Sequence, residues 1–352
     1  MSNYTSLSSR YVLVSSKPMP ILVLLMAVLL ILTLPLAAQP VQAAPNDQGT
    51  WHTAASMPTK RTEVAAAMLG GKIYVVGGFE KPGLGNILNF AITPSVEMYD
   101  PVTDQWTSKA PLPVGLHHVG SGVVGGRLYI IGGYSKSGLS VWNPVATVYA
   151  YDPVTDSWTE RAPMPTARGA LSVTVHDGML YAIGGYDRKA NNAQVEVYDP
   201  ARNVWTTAAP LPTPRDHLAT ATVSRKIYAI GGRLDGDYSR NLTVTEQYDP
   251  ATDRWRRVAD LPTARSGITA AVVEGKVYVF GGEGATGTFS ENEAYDPIRD
   301  TWQRMAPMPT ARHGLGSAVV QGRIYVISGG PTPGGSFSDL SEVFLPQSEI
   351  KK

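Results

Sequence analysis

KIYVVGG at residues 72–78 and YDPVTDQW at residues 99–106 decide the architecture of this chain. The first is a β-branched and aromatic run that stops on two glycines, the composition of a short strand ending where backbones pass too closely for a Cβ. The second places Pro where a type I turn wants φ at about −65°, and Asp where a carboxylate can bond the turn backbone. Both recur. The glycine pair returns at Gly132-Gly133, Gly184-Gly185, Gly231-Gly232, Gly281-Gly282 and, in RIYVISGG, Gly329-Gly330. The Tyr-Asp-Pro unit and its Trp return from Tyr151 to Trp158, Tyr198 to Trp205, Tyr248 to Trp255 and Tyr295 to Trp302. A sixth copy breaks off at Ser341-Glu342-Val343-Phe344 without its Trp, and the missing residue stands at the other end, in Trp51-His52-Thr53. Closure of six units into a ring requires such a displaced Trp.

Each unit predicts four short strands. The first is small and apolar, as in Ala65-Ala66-Ala67-Met68-Leu69, which suits the crowded axis of a ring. The second is the Ile-Tyr-Val run, the third carries Val-Glu-x-Tyr, and the fourth begins at Trp. Tight turns such as Gly70-Gly71, Asp177-Gly178 and Gly275-Lys276 join the first two strands. Trp and Tyr on the outer strands then fill the wedges between units.

Composition removes several chemistries. Lys+Arg 30 against Asp+Glu 29 leaves no basic arm built to neutralise phosphates, so no nucleic-acid partner is expected, and the absence of Cys excludes disulfides, thiolate metal sites and cysteine nucleophiles. No Gly-rich phosphate loop, nucleophile elbow or His-Glu zinc motif is present; the Gly-Gly pairs end strands without opening helices, so they are not a dinucleotide fingerprint. No cofactor is expected.

The combined Gly-Gly, Tyr-Asp-Pro and Trp spacing resembles the kelch repeat family over residues 49–345. The resemblance implies an all-β, six-bladed β-propeller of four-stranded antiparallel blades, the last closed by pairing of N- and C-terminal strands. It also brings three functional classes into view. Some members resemble copper-radical sugar oxidases built on a Tyr–Cys cross-link, which a chain without Cys cannot form. Others are periplasmic sialic-acid epimerases, which need an acid/base group and an Arg near the pore. Many eukaryotic members are ubiquitin-ligase adaptors or actin-binding proteins, and no BTB-like domain fits beside the repeats here.

Strand alternation puts the second-to-third and fourth-to-first connections on one face. The former vary, holding 20, 17, 12, 15, 12 and 13 residues, and variable loops on a constant scaffold mark the working face. The latter carry an Arg column: Arg61, Arg168, Arg215, Arg265 and Arg312, with Leu116 in the second blade. A Glu recurs two residues before the third-strand Tyr, at Glu97, Glu196, Glu246, Glu293 and Glu342, with Tyr149 in the second blade. Arg and Glu are lost in the same copy, as an intrablade pair would be; a ring of guanidinium groups binding carboxylates, phosphates or sugar hydroxyls is the other reading. Just past the glycine pairs stand Phe79, Tyr134, Tyr186, Arg233 and Glu283, the last being the best lone acid/base candidate. Trp142, outside the repeat column, is either a platform for a sugar or peptide or a loop-packing residue. His118, His217 and His313 follow the Arg column in blades 2, 4 and 6; spread around the ring, they are not expected to meet on a metal.

Residues 21–38 are an uncharged apolar run preceded by Arg10 and Lys17, with Val41 and Ala43 spaced for signal-peptidase cleavage before Ala44. Residues 1–43 therefore read as a signal peptide or an uncleaved signal-anchor that would hold the chain to a membrane through 21–38, with 44–48 a linker and 346–352 a tail. Either way the repeats lie outside the cytoplasm, secreted, periplasmic or at the cell surface. The expected protein is a monomeric, extracytoplasmic binding module for a protein or glycan; the alternative is a carbohydrate-active enzyme of the sialic-acid epimerase or mutarotase type.

Overall fold

The computed structural model describes residues 48–81 and 91–346. The targeting segment, residues 82–90 of the first long connection, and the tail beyond 346 lie outside the described residues. Six four-stranded antiparallel sheets follow one another. Blade 1 holds Ala65–Leu69, Lys72–Val76, Val96–Asp100 and Gln105–Lys109. Blade 2 holds Gly120–Val124, Arg127–Ile131, Val148–Asp152 and Ser157–Glu160, and blades 3, 4 and 5 open on Ser172–His176, Ala219–Val223 and Thr269–Val273. Blade 6 takes Gly316–Val320, Arg323–Ile327 and Ser341–Leu345 from the C-terminal side and Thr50–Thr53 from the N-terminal side. Trp51 stands opposite Phe344, the register in which Trp106 faces Tyr99 and Trp302 faces Tyr295. The displaced Trp thus completes the sixth blade.

Adjacent blades are joined by the repeat residues themselves. Every outer-strand Trp donates its indole N–H to a carbonyl just past the outer strand of the preceding blade: Trp106 to Ala55, Trp158 to Ala110, Trp205 to Ala162, Trp255 to Ala209, Trp302 to Ala259 and Trp51 to Ala306, all at 2.8–2.9 Å. Each second-strand Tyr packs on the third-strand ring of the next blade, from Tyr74 on Tyr151 round to Tyr325 on Tyr99, with centroids 5.5–6.2 Å apart. The Tyr-Asp-Pro turn does more than close a hairpin. Asp104, Asp156, Asn203, Asp253 and Asp300 sit at positive φ and accept both the Tyr hydroxyl of their own blade and a backbone N–H of the blade before.

Glycine is required where neighbouring inner strands pack closest. A Cβ on Gly120 would stand 2.2 Å from Val173, and one on Gly316 2.5 Å from Ala66. The inner strands leave a channel of about 430 Å³ whose walls carry hydroxyl pairs such as Ser172 with Thr220 and Thr174 with Thr222. The glycine pairs press against the next blade: the Gly78 N–H donates to Leu116, where a Cβ on Gly77 would lie 2.4 Å from the same carbonyl oxygen. In blade 6 the frame differs from the sequence reading. Ser328 (φ 64°) and Gly329 (φ 96°) occupy the paired positions, Gly329 donating to the Arg61 carbonyl, so Gly330 belongs to the next position along.

Candidate functional site

The five arginines that open the fourth-to-first connections are fully buried. Each meets its glutamate inside its own blade: Arg61 with Glu97 at 2.6 Å, Arg168 with Glu196 at 2.5 Å, Arg215 with Glu246 at 2.5 Å, Arg312 with Glu342 at 2.6 Å, and Arg265 with Glu293. Further N–H groups go to backbone carbonyls around the glycine pair, as Arg168 does to Gly184 and Ala182. Burial lowers each guanidinium pKa while its glutamate opposes that shift. In blade 2 Leu116 and Tyr149 share one apolar cluster instead. Of the two readings, the structure carries the intrablade pair: Arg61, Arg168, Arg215, Arg265 and Arg312 hold blades together and present no ring of donors to a ligand.

The next two residues after each arginine, and after Leu116 in blade 2, build the channel mouth. Glu63, His118, Ala170, His217, Gly267 and Gly314, one per blade, all have φ between 52° and 64°. Successive members are joined by backbone bonds, His118 N–H to Glu63, Ala170 to His118, His217 to Ala170, Gly267 to His217 and Gly314 to Gly267, the circle closing from Val64 to Gly314. The residues before them, Thr62, His117, Gly169, Asp216, Ser266 and His313, pair with those just past the glycines, Phe79, Tyr134, Tyr186, Arg233, Glu283 and Gly330. Three concentric rings thus meet at one end of the channel, with Glu63, His118 and His217 on its wall.

The rings are chemically two-sided. Blades 1 and 2 give Phe79, His117, His118 and Tyr134, all packed against Trp142 at 4.9–5.6 Å between centroids. Phe79 and Tyr134 are buried beneath this cluster, so their contact with a ligand would require displacement of their neighbours. Trp142 is half-buried, with Arg188 over its ring at 5.4 Å, and Tyr186 lies under the same guanidinium at 5.7 Å. These three form the more accessible rim.

Blades 4 to 6 and Glu63 give a buried charged group. Arg233 binds Glu283 at 2.6 Å, donates to His217 Nε2 at 2.8 Å, lies 3.4 Å from Asp216 and stacks under Tyr238 at 4.5 Å. The two residues singled out in neighbouring blades therefore form one ion pair. His313 Nε2 lies 3.5 Å from both Glu63 and Glu283, and His118 Nε2 lies 3.2 Å from Glu63. This corrects the expectation that histidines from separate blades stay apart: His118 and His217 rings are 4.9 Å apart, because six blades converge on a narrow axis and matched positions face one another across it. Burial pushes the Glu63 carboxyl above the usual range despite nearby imidazoles. For Glu283 burial acts in the same sense, and His313 and Arg233 outweigh it, leaving that carboxyl below its usual range. His117 is lowered to about 3 by burial, and His118 falls well below the ordinary imidazole range for the same reason.

Of the mouth residues, Glu63, Asp216, His117 and Ser266 escaped attention as site candidates in the sequence because each is unlike its counterparts in other blades. Their signal is positional: one or two places past the Arg column.

Comparison with known proteins agrees with this architecture. The family model described as the KLHDC2/KLHL20/DRC7 Kelch-repeats domain matches residues 109–261 and again 173–348, and the Kelch motif model matches residues 60–113. Kelch-like protein terF of Aspergillus terreus is 35% identical over 161 residues, covering 43% of this chain and 34% of the relative. Beta-scruin of Limulus polyphemus is 33% identical over 143 residues, 40% of this chain and 15% of the relative. Human Kelch-like protein 28 is 37% identical over 118 residues, 33% and 19% of the two chains. The matched segments thus span 15–34% of these relatives' own length. The solved structure of YjhT superposes with a TM-score of 0.71 at 18% identity, covering 84% of this chain and 97% of that one.

Proposed function

The chain belongs to the kelch repeat family, and we propose that it acts outside the cytoplasm as an interaction module taking a protein or glycan at the channel mouth. One observation carries this reading. Arg, Glu, Gly-Gly, Tyr and Trp repeat from blade to blade as scaffold, while the three rings at the mouth change identity at nearly every position. Variation concentrated on one end of a constant frame is how such scaffolds carry recognition. The rim of Trp142, Tyr186 and Arg188 offers aromatic faces and a guanidinium, which suit sugar rings, acidic groups and peptide side chains alike. Export rests on residues 1–43.

A second reading, an enzyme of the sialic-acid epimerase or mutarotase type, draws support from Glu63, Glu283 and His313 converging beside Arg233. Carboxyls whose pKa values are pushed apart are the arrangement acid/base chemistry uses. Glycan and protein arrays, run beside a sialic-acid mutarotation assay on the purified full-length chain, separate the two. Binding abolished by Trp142→Ala and Arg188→Ala without turnover supports the module. Turnover lost in Glu283→Gln with binding retained establishes the enzyme, and neither binding nor turnover at this face rejects both. For localisation, a reporter fused after residue 352 is expected to be active only outside the cytoplasm.

A further inference from the structure

The tautomers at the mouth can be assigned from their partners. A carbonyl oxygen only accepts, so His117 Nε2, 2.8 Å from the Val141 carbonyl, carries a proton. His117 is neutral, so its Nδ1 is a lone pair, and the 2.5 Å contact to His118 Nδ1 makes His118 the donor there. The neutral His118 then turns an unprotonated Nε2 toward Glu63. His313 donates from Nδ1 to the Gly330 carbonyl at 3.0 Å, which turns its Nε2 toward Glu63 and Glu283. His217 differs, since both nitrogens are engaged by Asp216 and Arg233. His313 Nε2 and a carboxylate oxygen from each of Glu63 and Glu283 therefore converge, with His118 Nε2 on the other oxygen of Glu63, while Arg233 directs its donors to Glu283 Oε1, His217 and Ser266.

We propose that Glu63, Glu283 and His313, with His118 as a fourth donor, bind a first-row divalent cation at the channel mouth. The separations fit. Metal–ligand bonds of about 2.0–2.1 Å place tetrahedral ligands about 3.3–3.4 Å apart; His313 Nε2 lies 3.5 Å from Glu63 Oε1 and 3.5 Å from Glu283 Oε2, and His118 Nε2 lies 3.2 Å from Glu63 Oε2. One oxygen or nitrogen from each of Glu63, Glu283 and His313 lies within 4.8 Å of the others. The supporting contacts are those that orient metal ligands: His313 is held by a backbone carbonyl, His118 by His117, and Glu283 by Arg233 and the Gly334 N–H at 3.1 Å. Mixed imidazole and carboxylate donors select zinc, manganese or iron over the all-oxygen shell calcium prefers. The cation would offset the Glu63 and Glu283 carboxylates, and Glu63 and His118 open it to the channel.

The test is titration of the chelator-stripped, untagged full-length chain with ZnCl₂, and with MnCl₂ in parallel, by calorimetry and elemental analysis. One bound zinc per chain and a raised melting temperature are expected. Glu63→Gln and His313→Gln should each weaken binding by at least about 100-fold, beyond what loss of an orienting group does; His176→Gln, at the far end of an inner strand, should titrate like the parent. Absence of stoichiometric uptake of either metal, or unchanged titrations in both variants, overturns the site. Because Glu63→Gln keeps the side chain's shape, it decides the matter even if His313→Gln fails to fold. The inference does not rest on the partner class: uptake with no glycan or protein binding leaves it standing, and the reverse leaves the interaction module standing.

Discussion

At the scale of single residues, the Arg–Glu pairs show how burial sets the value of a charge. A guanidinium removed from water is tolerated here because its glutamate and several carbonyls meet its donors. Removing one partner strands the other. Arg265→Leu is expected to destabilise the chain by about 3–5 kcal/mol in chemical denaturation, the usual result of breaking a buried pair. Blade 2 already contains the compensated alternative, Leu116 with Tyr149. Arg265→Leu combined with Glu293→Tyr should therefore recover much of that loss. A double variant no more stable than the single one would mean that Leu116 depends on its particular neighbours.

At the scale of the element, the turn between third and outer strand ties blades 1 to 5 to their neighbours, since its Asp (Asn203 in blade 3) bonds two blades at once. The Tyr hydroxyl foremost, then the backbone N–H, lowers the pKa of Asp104, Asp156, Asp253 and Asp300. A carboxyl depressed in the folded state stabilises fully above its unfolded pKa and loses that contribution as pH falls below about 4. Melting temperature should drop on acidification through that window, and Asp253→Asn should make the drop shallower, as blade 3 does naturally with Asn203. Unchanged acid sensitivity in that variant would place the titrating groups elsewhere. Within the same element, Trp302→Phe removes the bond to Ala259 while keeping most of the ring. A loss of about 1–2 kcal/mol is expected in denaturant titration.

At the scale of the whole molecule, blade 6 depends on a strand from the opposite end of the chain. Deleting residues 51–58 removes Trp51 from between Phe280 and Phe344, breaks its bond to Ala306 and leaves Ser341–Leu345 as an open edge. Calorimetry of that deletion should show a much lower, broader transition; an unaltered melt would refute ring closure as a source of stability. Repeat number, strand order and ring closure were legible in the sequence, because each depends on local spacing copied six times. The Arg–Glu pair was legible too, through its joint absence in blade 2. The blade-6 frame was not, since Ser328 adopts a glycine's backbone conformation under contacts from Arg61 that lie far off in sequence. Nor was the meeting of Glu63, His118, Glu283 and His313. Periodicity places one residue per blade, whereas the distance across the axis is set by how closely small inner strands pack. Local covalent spacing, then, specified the frame, and the chemistry at its centre came from through-space convergence that only the closed ring creates.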